Sequence, residues 1–202
     1  MDELMKMAID SLEVDYAEIR MERSETTSLI YMGPVLETVG TVYTLGGCVR
    51  VCHRGGWGFA AFNRPEDARE SARQAILSAA LTSAGSSHIA PAEPVVAAVR
   101  NPVSVDPSDV PLEEKRNLLK RYNDIMLKSA GIVTTQSVYR DVKKTVHIVT
   151  SEGADIEQEK IYTGARFVAI ARDGTNVQRG HRTVGDRTGF DSVENADDEV
   201  EA

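Results

Sequence analysis

The sequence predicts an α+β protein made of two repeated helix-plus-antiparallel-sheet units joined by a Pro-rich linker, and three observations predict it. Residues 15–62 and 133–183 run parallel courses. Alternating apolar and polar residues (Ile19-Arg20-Met21-Glu22-Arg23; Ser137-Val138-Tyr139-Arg140-Asp141) lead into Thr26-Thr27-Ser28-Leu29-Ile30 or Lys143-Lys144-Thr145-Val146-His147. Each copy then turns at Gly33 or Gly153 and continues through Val35-Leu36-Glu37-Thr38 or Asp155-Ile156-Glu157-Gln158. The copies go on to Cys48–Arg54 or Arg166–Arg172 and close on Gly55-Gly56 or Asp173-Gly174. A supersecondary unit that recurs this way cannot bury its apolar face alone and stacks on its copy. The second observation is helical apolar spacing outside these stretches. The third is that five of the seven prolines fall in residues 84–111, where extended surface backbone is expected.

The elements follow in order. Residues 2–12 suit a helix with Leu4, Met7, Ala8 and Ser11-Leu12 on one stripe. Strands are expected near 15–23, 26–32, 35–44 and 47–54, separated by turns at Gly33-Pro34, Gly46-Gly47 and Gly55-Gly56, with a short fifth strand over 58–62. Asn63-Arg64-Pro65-Glu66 reads as a capped helix start with Pro in the first turn. That helix runs to about Ser83 on a stripe of Ala68, Ala72, Ala75, Ile76, Ala79 and Ala80, small enough to lie close on a sheet. Beyond the linker, Pro111 opens a helix whose Leu118, Leu119, Tyr122, Ile125, Met126 and Ser129 form one apolar face. Strands follow near 131–141, 143–151, 154–163, 165–173 and 176–184. The expected domains are a first unit over 1–83, the linker 84–111 and a second unit over 112–190. Residues 191–202 are expected to be a loosely attached acidic tail, or the start of a connection to a further domain.

Composition narrows the function. The last twelve residues hold six acids and no base, and the other 190 hold 25 acids and 23 bases, a net of −2. That balance leaves no electrostatic footprint for nucleic acid. The acidic start and the lack of a long apolar run predict neither a secretory leader nor a membrane span, hence a cytoplasmic protein. Cys48 and Cys52 share one strand face roughly 13 Å apart at about 3.3 Å per residue, too far for a disulfide between them. His53, His88, His147 and His181 are scattered and belong to no zinc-ligand pattern. The glycine clusters lack phosphate-loop spacing, the serines lack a Gly-x-Ser-x-Gly elbow, and Glu113/Glu114 read as solvated. No catalytic or metal residue is assigned.

One segment carries a functional expectation. In Arg54-Gly55-Gly56-Trp57-Gly58-Phe59 the only tryptophan stands among three glycines at a strand end. Glycines admit another backbone closely, and a neighbouring aromatic supplies contact area at low entropic cost, which suits an extended peptide or a partner. The alternative is that Trp57 and Phe59 cap the core of the first sheet.

These residues carry a family likeness. Asp15–Arg23, Gly47-Cys48-Val49-Arg50-Val51, Gly55–Ala60 and the helix after Pro65 resemble the N-terminal domain of the TldD/PmbA family, also called modulator of DNA gyrase or peptidase U62. The likeness continues through Asp106-Pro107-Ser108, Pro111–Lys115, Ser151-Glu152-Gly153 and Gln178-Arg179-Gly180. It implies a zinc metallopeptidase of unfolded peptides, working in the cytoplasm as a homodimer or as a heterodimer with a paralogous subunit. It also implies that the metal motif, His-Glu-x-x-x-His, belongs to a C-terminal domain. That motif is absent from these 202 residues, so no cofactor is expected in this chain, which is expected to be inactive alone. The expected role is the non-catalytic N-terminal portion of such a peptidase, helping to form the dimer and wall the substrate cavity, with the ending at Glu201-Ala202 read as a truncation. The alternative is a stand-alone peptide- or partner-binding protein.

Overall fold

The computed structural model describes residues 5, 6, 9, 12–83, 85 and 89–201. Its elements are β1 (Tyr16–Met32), β2 (Val35–His53), β3 (Gly56–Phe62), α1 (Ala68–Leu81), β4 (Val96–Val99), α2 (Leu112–Lys128), β5 (Ile132–Thr150), β6 (Asp155–Asp173), β7 (Asn176–Asp186), α3 (Asp191–Glu194) and α4 (Asp197–Glu201). The class is α+β. In place of two sheets, the hydrogen-bonded order is a single path, β3-β2-β1-β5-β6-β4, with β7 also on β6. β4 lies parallel to β6 and arises from the Pro-rich segment, where no strand is expected.

The strands are longer than the turn signals suggest. β1 has 17 residues and β2, β5 and β6 have 19 each, so the breaks expected near 24, 45, 142 and 164 do not occur. Gly47 shows the reason at one of them. A Cβ there would stand 2.3 Å from the Phe62 ring and 2.8 Å from the Arg20 carbonyl oxygen, so this glycine admits a neighbour inside a strand and marks no turn. Polar residues near two of the other expected breaks have partners within the fold. Thr27 Oγ1 lies 3.0 Å from Thr41 Oγ1, and the Asp141 carboxylate accepts from Lys115 Nζ at 2.6 Å.

The described residues form two compact units interleaved along the chain. One takes Met1–Ser24, Thr44–Arg100 and Lys144–Glu159; the other takes Glu25–Tyr43, Asn101–Lys143 and Lys160–Ala202. Each hairpin, β1-β2 and β5-β6, therefore gives its base to one unit and its tip to the other.

The first unit is built around Ala17, Ile19, Met21, Val49, Val51, Phe62 and Val149, covered by Ala68, Ala72 and Ala75 of α1. Period-two alternation places Ala17, Ile19 and Met21 on one face of β1, where α1 closes over them. Met5 and Ile9 join this core, whereas Leu4, Met7, Ala8 and Ser11 of the expected stripe lie outside the described residues. The expected Asn63 cap is not made. The start is a 3-10 turn over Pro65–Asp67, and no side chain caps either it or α1. The Asp67 carboxylate instead accepts from Arg64 Nε and Nη2 at 2.8 and 2.9 Å.

The second unit gathers Leu29, Tyr31, Leu119, Tyr122, Met126, Tyr139, Ala165, Phe167, Phe190, Val193 and Ala196. Helical spacing in α2 also buries Lys115 and Asn123, both missed by an apolar-only pattern. Asn123 Nδ2 donates to the Gly33 carbonyl at 2.8 Å, and its Oδ1 accepts from Thr135 and Ser137. Lys115 pairs with Asp141, which also accepts from the Tyr139 hydroxyl at 2.7 Å. Burial, then the adjacent Asp141 charge, holds the Tyr139 phenol protonated far above its usual range.

The acidic end is packed, contrary to the expectation of a loose tail. Phe190, Val193 and Ala196 enter the core, and the Tyr122 hydroxyl meets the carbonyls of Val193 and Glu194 at 2.8 and 2.7 Å and accepts from the Ala196 N–H. Three apolar anchors fall at a spacing of three, while Asp197 pairs with Arg121 at 3.1 Å, Asp191 accepts from the Ser104 hydroxyl at 3.2 Å, and Asp198, Glu199 and Glu201 are exposed.

Candidate partner-binding surface

The hairpin joining β2 to β3 positions the predicted segment. His53 pairs with Gly56, so the two turn residues are Arg54 and Gly55, one position earlier than the expected Gly55-Gly56 turn. Both have positive φ, 50° and 78°, as a tight hairpin twisted to suit its strands requires. Ser83 Oγ donates to the Arg54 carbonyl and Thr82 Oγ1 to the Trp57 carbonyl, which ties the turn to the end of α1.

Alternation along β3 then divides the six residues by role. Gly56 and Gly58 face α1, where a Cβ would stand 2.0 Å from the Ala79 oxygen and 1.8 Å from the Ala75 oxygen respectively. The backbone these glycines admit is that of the chain's own helix. Trp57 and Phe59 project from the opposite face, 42% and 61% exposed. Trp57 stands across from Cys52, and Phe59 across from Arg50.

Three residues that the sequence reading left out complete this face. The Arg50 guanidinium lies 5.3 Å from the Trp57 ring centroid and donates to Glu18 Oε2 at 2.8 Å. The Tyr16 hydroxyl donates to the same oxygen at 3.0 Å, with its ring centroid 6.1 Å from that of Trp57. Burial, reinforced by Glu18, raises the Tyr16 pKa, so the phenol remains a donor. The signal was present in the alternation of β1, which puts Tyr16 and Glu18 on the face opposite Ala17 and Ile19. Rigid aromatic area beside an oriented guanidinium suits an extended chain or a protein partner.

The histidines and cysteines elsewhere are placed as follows. His147 Nε2 lies 2.6 Å from Asp155 Oδ1, His53 is half-buried and His181 exposed, while His88 lies outside the described residues. Among the described residues no three His, Cys, Asp or Glu side chains are placed to hold a metal ion. Cys48 and Cys52 are both free, and burial, then Glu18, raises the Cys48 thiol.

Residues 17–82 match PmbA/TldA metallopeptidase domain 1, and residues 105–202 match the PmbA/TldA metallopeptidase central domain. The chain belongs to the TldD/PmbA family. It is 39% identical over 191 residues to a metalloprotease of Synechocystis sp., covering 94% of this chain and 41% of that protein. It is 32% identical over 185 residues to a metalloprotease of Methanothermobacter thermautotrophicus, covering 91% and 40%. The chain thus spans about two fifths of the length of these relatives. Among solved structures, a protein named as a modulator of DNA gyrase from Bacteroides thetaiotaomicron superposes with a TM-score of 0.78 at 15% identity, covering 96% of this chain and 46% of that one. TldE from Thermococcus kodakarensis superposes with a TM-score of 0.64 at 18% identity, covering 98% and 46%. At such identities the likeness is one of fold. The TldD/PmbA central-domain match includes the packed acidic end.

Proposed function

We propose that this chain is the non-catalytic N-terminal portion of a TldD/PmbA zinc metallopeptidase that acts on unfolded peptides in the cytoplasm, helping to form a dimer and to wall the substrate cavity. The observation that carries the reading is the order of domain 1 and then central domain in a chain that aligns along nine tenths of its length with metalloproteases. The side chains present do not fit a catalytic zinc. Among the described residues no three His, Cys, Asp or Glu side chains are grouped so as to hold a metal ion. No catalytic step is therefore derived from these residues, and the metal is assigned to the His-Glu-x-x-x-His motif that the family likeness implies outside them.

Two repeats accord with the succession of strands, since β1-β2-β3 and β5-β6-β7 each comprise a long hairpin followed by a shorter antiparallel strand. The Trp57, Phe59, Arg50 and Tyr16 face is assigned to contact with peptide or partner. Among the described residues no helix is long and apolar enough to cross a membrane.

Trp57 is the only tryptophan, so its fluorescence reports directly on that face. Titration with an unfolded, protease-resistant peptide is expected to shift its emission saturably, and Phe59→Ala to weaken the response. In the same preparation, elemental analysis should find zinc well below one per chain, with no peptide hydrolysis. One zinc per chain, lost on mutating His53 or Cys52, would overturn the non-catalytic reading. An unchanged emission spectrum would overturn the peptide contact.

A further inference from the structure

The outer edge of β2 is uncovered along more than half of its length. β3 pairs with β2 only from Gly47 to His53, and the other neighbour of β2 is β1, so among the described residues no strand lies outside Val35–Gly46. The outer edge of β6 is treated differently: β4 covers it at Asp155–Gln158 and β7 at Thr163–Asp173. Within the open stretch, Val35, Val39, Val42 and Tyr43 are 49–70% exposed, and Glu37 is the single charge. Nothing lies within 4 Å of the position a Cβ would take on Gly40. An exposed edge normally carries lysine, proline or several charges that deter pairing, and Val35–Tyr43 has none of these.

The segment is chemically symmetric about its centre. In Val35-Leu36-Glu37-Thr38-Val39-Gly40-Thr41-Val42-Tyr43, an antiparallel partner of the same sequence centred on Val39 sets Val35 opposite Tyr43, Leu36 opposite Val42, Thr38 opposite Gly40 and Val39 opposite itself. Glu37 meets Thr41, so the two carboxylates are not opposed. Members of every pair are separated by an even number of residues, the condition for both to lie on one face of a continuous sheet. A two-fold axis then makes every contact twice.

We propose that β2 pairs through Val35–Tyr43, antiparallel and centred on Val39, with the same edge of a second copy of this chain. The pairing names a surface for the dimer proposed above and rests on that reading. Aromatic and β-branched cross-strand pairs supply side-chain contact, while the unpaired backbone groups of each edge satisfy those of the other.

The test uses the full 202-residue chain in sedimentation equilibrium. Wild type is expected at twice 22.0 kDa. Val39→Lys and Val39→Glu each place like charges directly across the axis, and each should weaken dimerisation about tenfold or more. An equimolar mixture of the two should recover the double mass. Val39 is half-exposed, so both variants should keep the wild-type circular dichroism, and recovery on mixing excludes misfolding as the cause. A dimer unmoved by either charge but lost in Trp57→Ala would overturn the edge pairing and leave the dimer reading standing. A wild-type chain that stays monomeric at its highest soluble concentration would overturn both, while the Trp57 fluorescence titration reports separately on the peptide contact.

Discussion

Replacing Gly58 by alanine tests how closely α1 is pressed onto β3. The added Cβ would stand 1.8 Å from the Ala75 carbonyl oxygen, 2.6 Å from the Ala79 nitrogen and 2.8 Å from the Ala75 carbonyl carbon. All three are helix backbone, so no side chain can swing aside. Restoring even a 3.0 Å contact requires α1 to retreat by about 1.2 Å along this line. A gap of roughly 0.5–1 Å already forfeits a quarter to a half of the dispersion energy of the facing atoms, here those of Ala72, Ala75 and Ala79. Overpacking typically costs about 1–3 kcal/mol, and a backbone-on-backbone clash belongs at the upper end, about 3 kcal/mol. With a urea m-value of about 2–3 kcal/mol/M, the midpoint should fall by about 1–1.5 M at unchanged m. Gly180→Ala is the control, since nothing lies within 4 Å of that position, and it should stay within about 0.5 kcal/mol of wild type. If Gly58→Ala unfolds at the wild-type midpoint, the argument that glycines at 56 and 58 exist to admit α1 is wrong.

Trp57→Ala removes a half-exposed ring, so it should cost less than about 3 kcal/mol of stability while abolishing peptide binding measured by calorimetry; a larger loss with binding intact would make Trp57 a core cap. Phe190→Ala should lower stability by about 3–5 kcal/mol in urea titration, because this ring is fully buried beside Tyr139 at the start of the packed acidic end. Tyr122→Phe should cost about 1–3 kcal/mol by stranding the carbonyl of Val193 and the N–H of Ala196, whereas the Glu194 carbonyl keeps Arg121 Nη2 at 3.0 Å; wild-type stability would argue that water replaces the hydroxyl. The His147 hydrogen bond, then Lys6, holds the Asp155 carboxyl below its usual range. Its stabilising contribution should therefore be complete above the unfolded-state value of about 3.9 and be lost as pH falls through that value toward the folded one. Asp155→Asn should flatten that part of the stability profile, and an unchanged slope would assign the acid sensitivity to other carboxylates.

Local chemistry was legible where it acts within a few residues. The alanine stripe of α1 was read correctly at Ala68, Ala72, Ala75 and Ala79, as was the apolar face of α2 at Leu119, Tyr122 and Met126. In the Trp57 segment the glycines suggest a visiting backbone, but their neighbour is α1. That distinction depends on which face of β3 the helix covers, and no spacing within the segment encodes it. Counting acids from Asp191 onward hid the Phe190, Val193 and Ala196 anchors, because charge density says nothing about the side of a helical turn on which the apolar residues fall.

By itself the sequence determined the class, the alternation that separates Ile19 from Glu18 and Val51 from Arg50, the turns at Gly33 and Gly153, and the likeness to a family. These depend on backbone geometry and side-chain period, which operate over one or two turns of chain. Tertiary structure alone decided that Gly47 sits inside a strand beside Phe62, that Lys115 is buried against Asp141, that each hairpin divides between two compact units, and that Val35–Tyr43 is left with an open edge. Each of these is set by a partner at least fourteen residues away or by the absence of one among the described residues. A residue's local pattern is the same whether that partner is there or not.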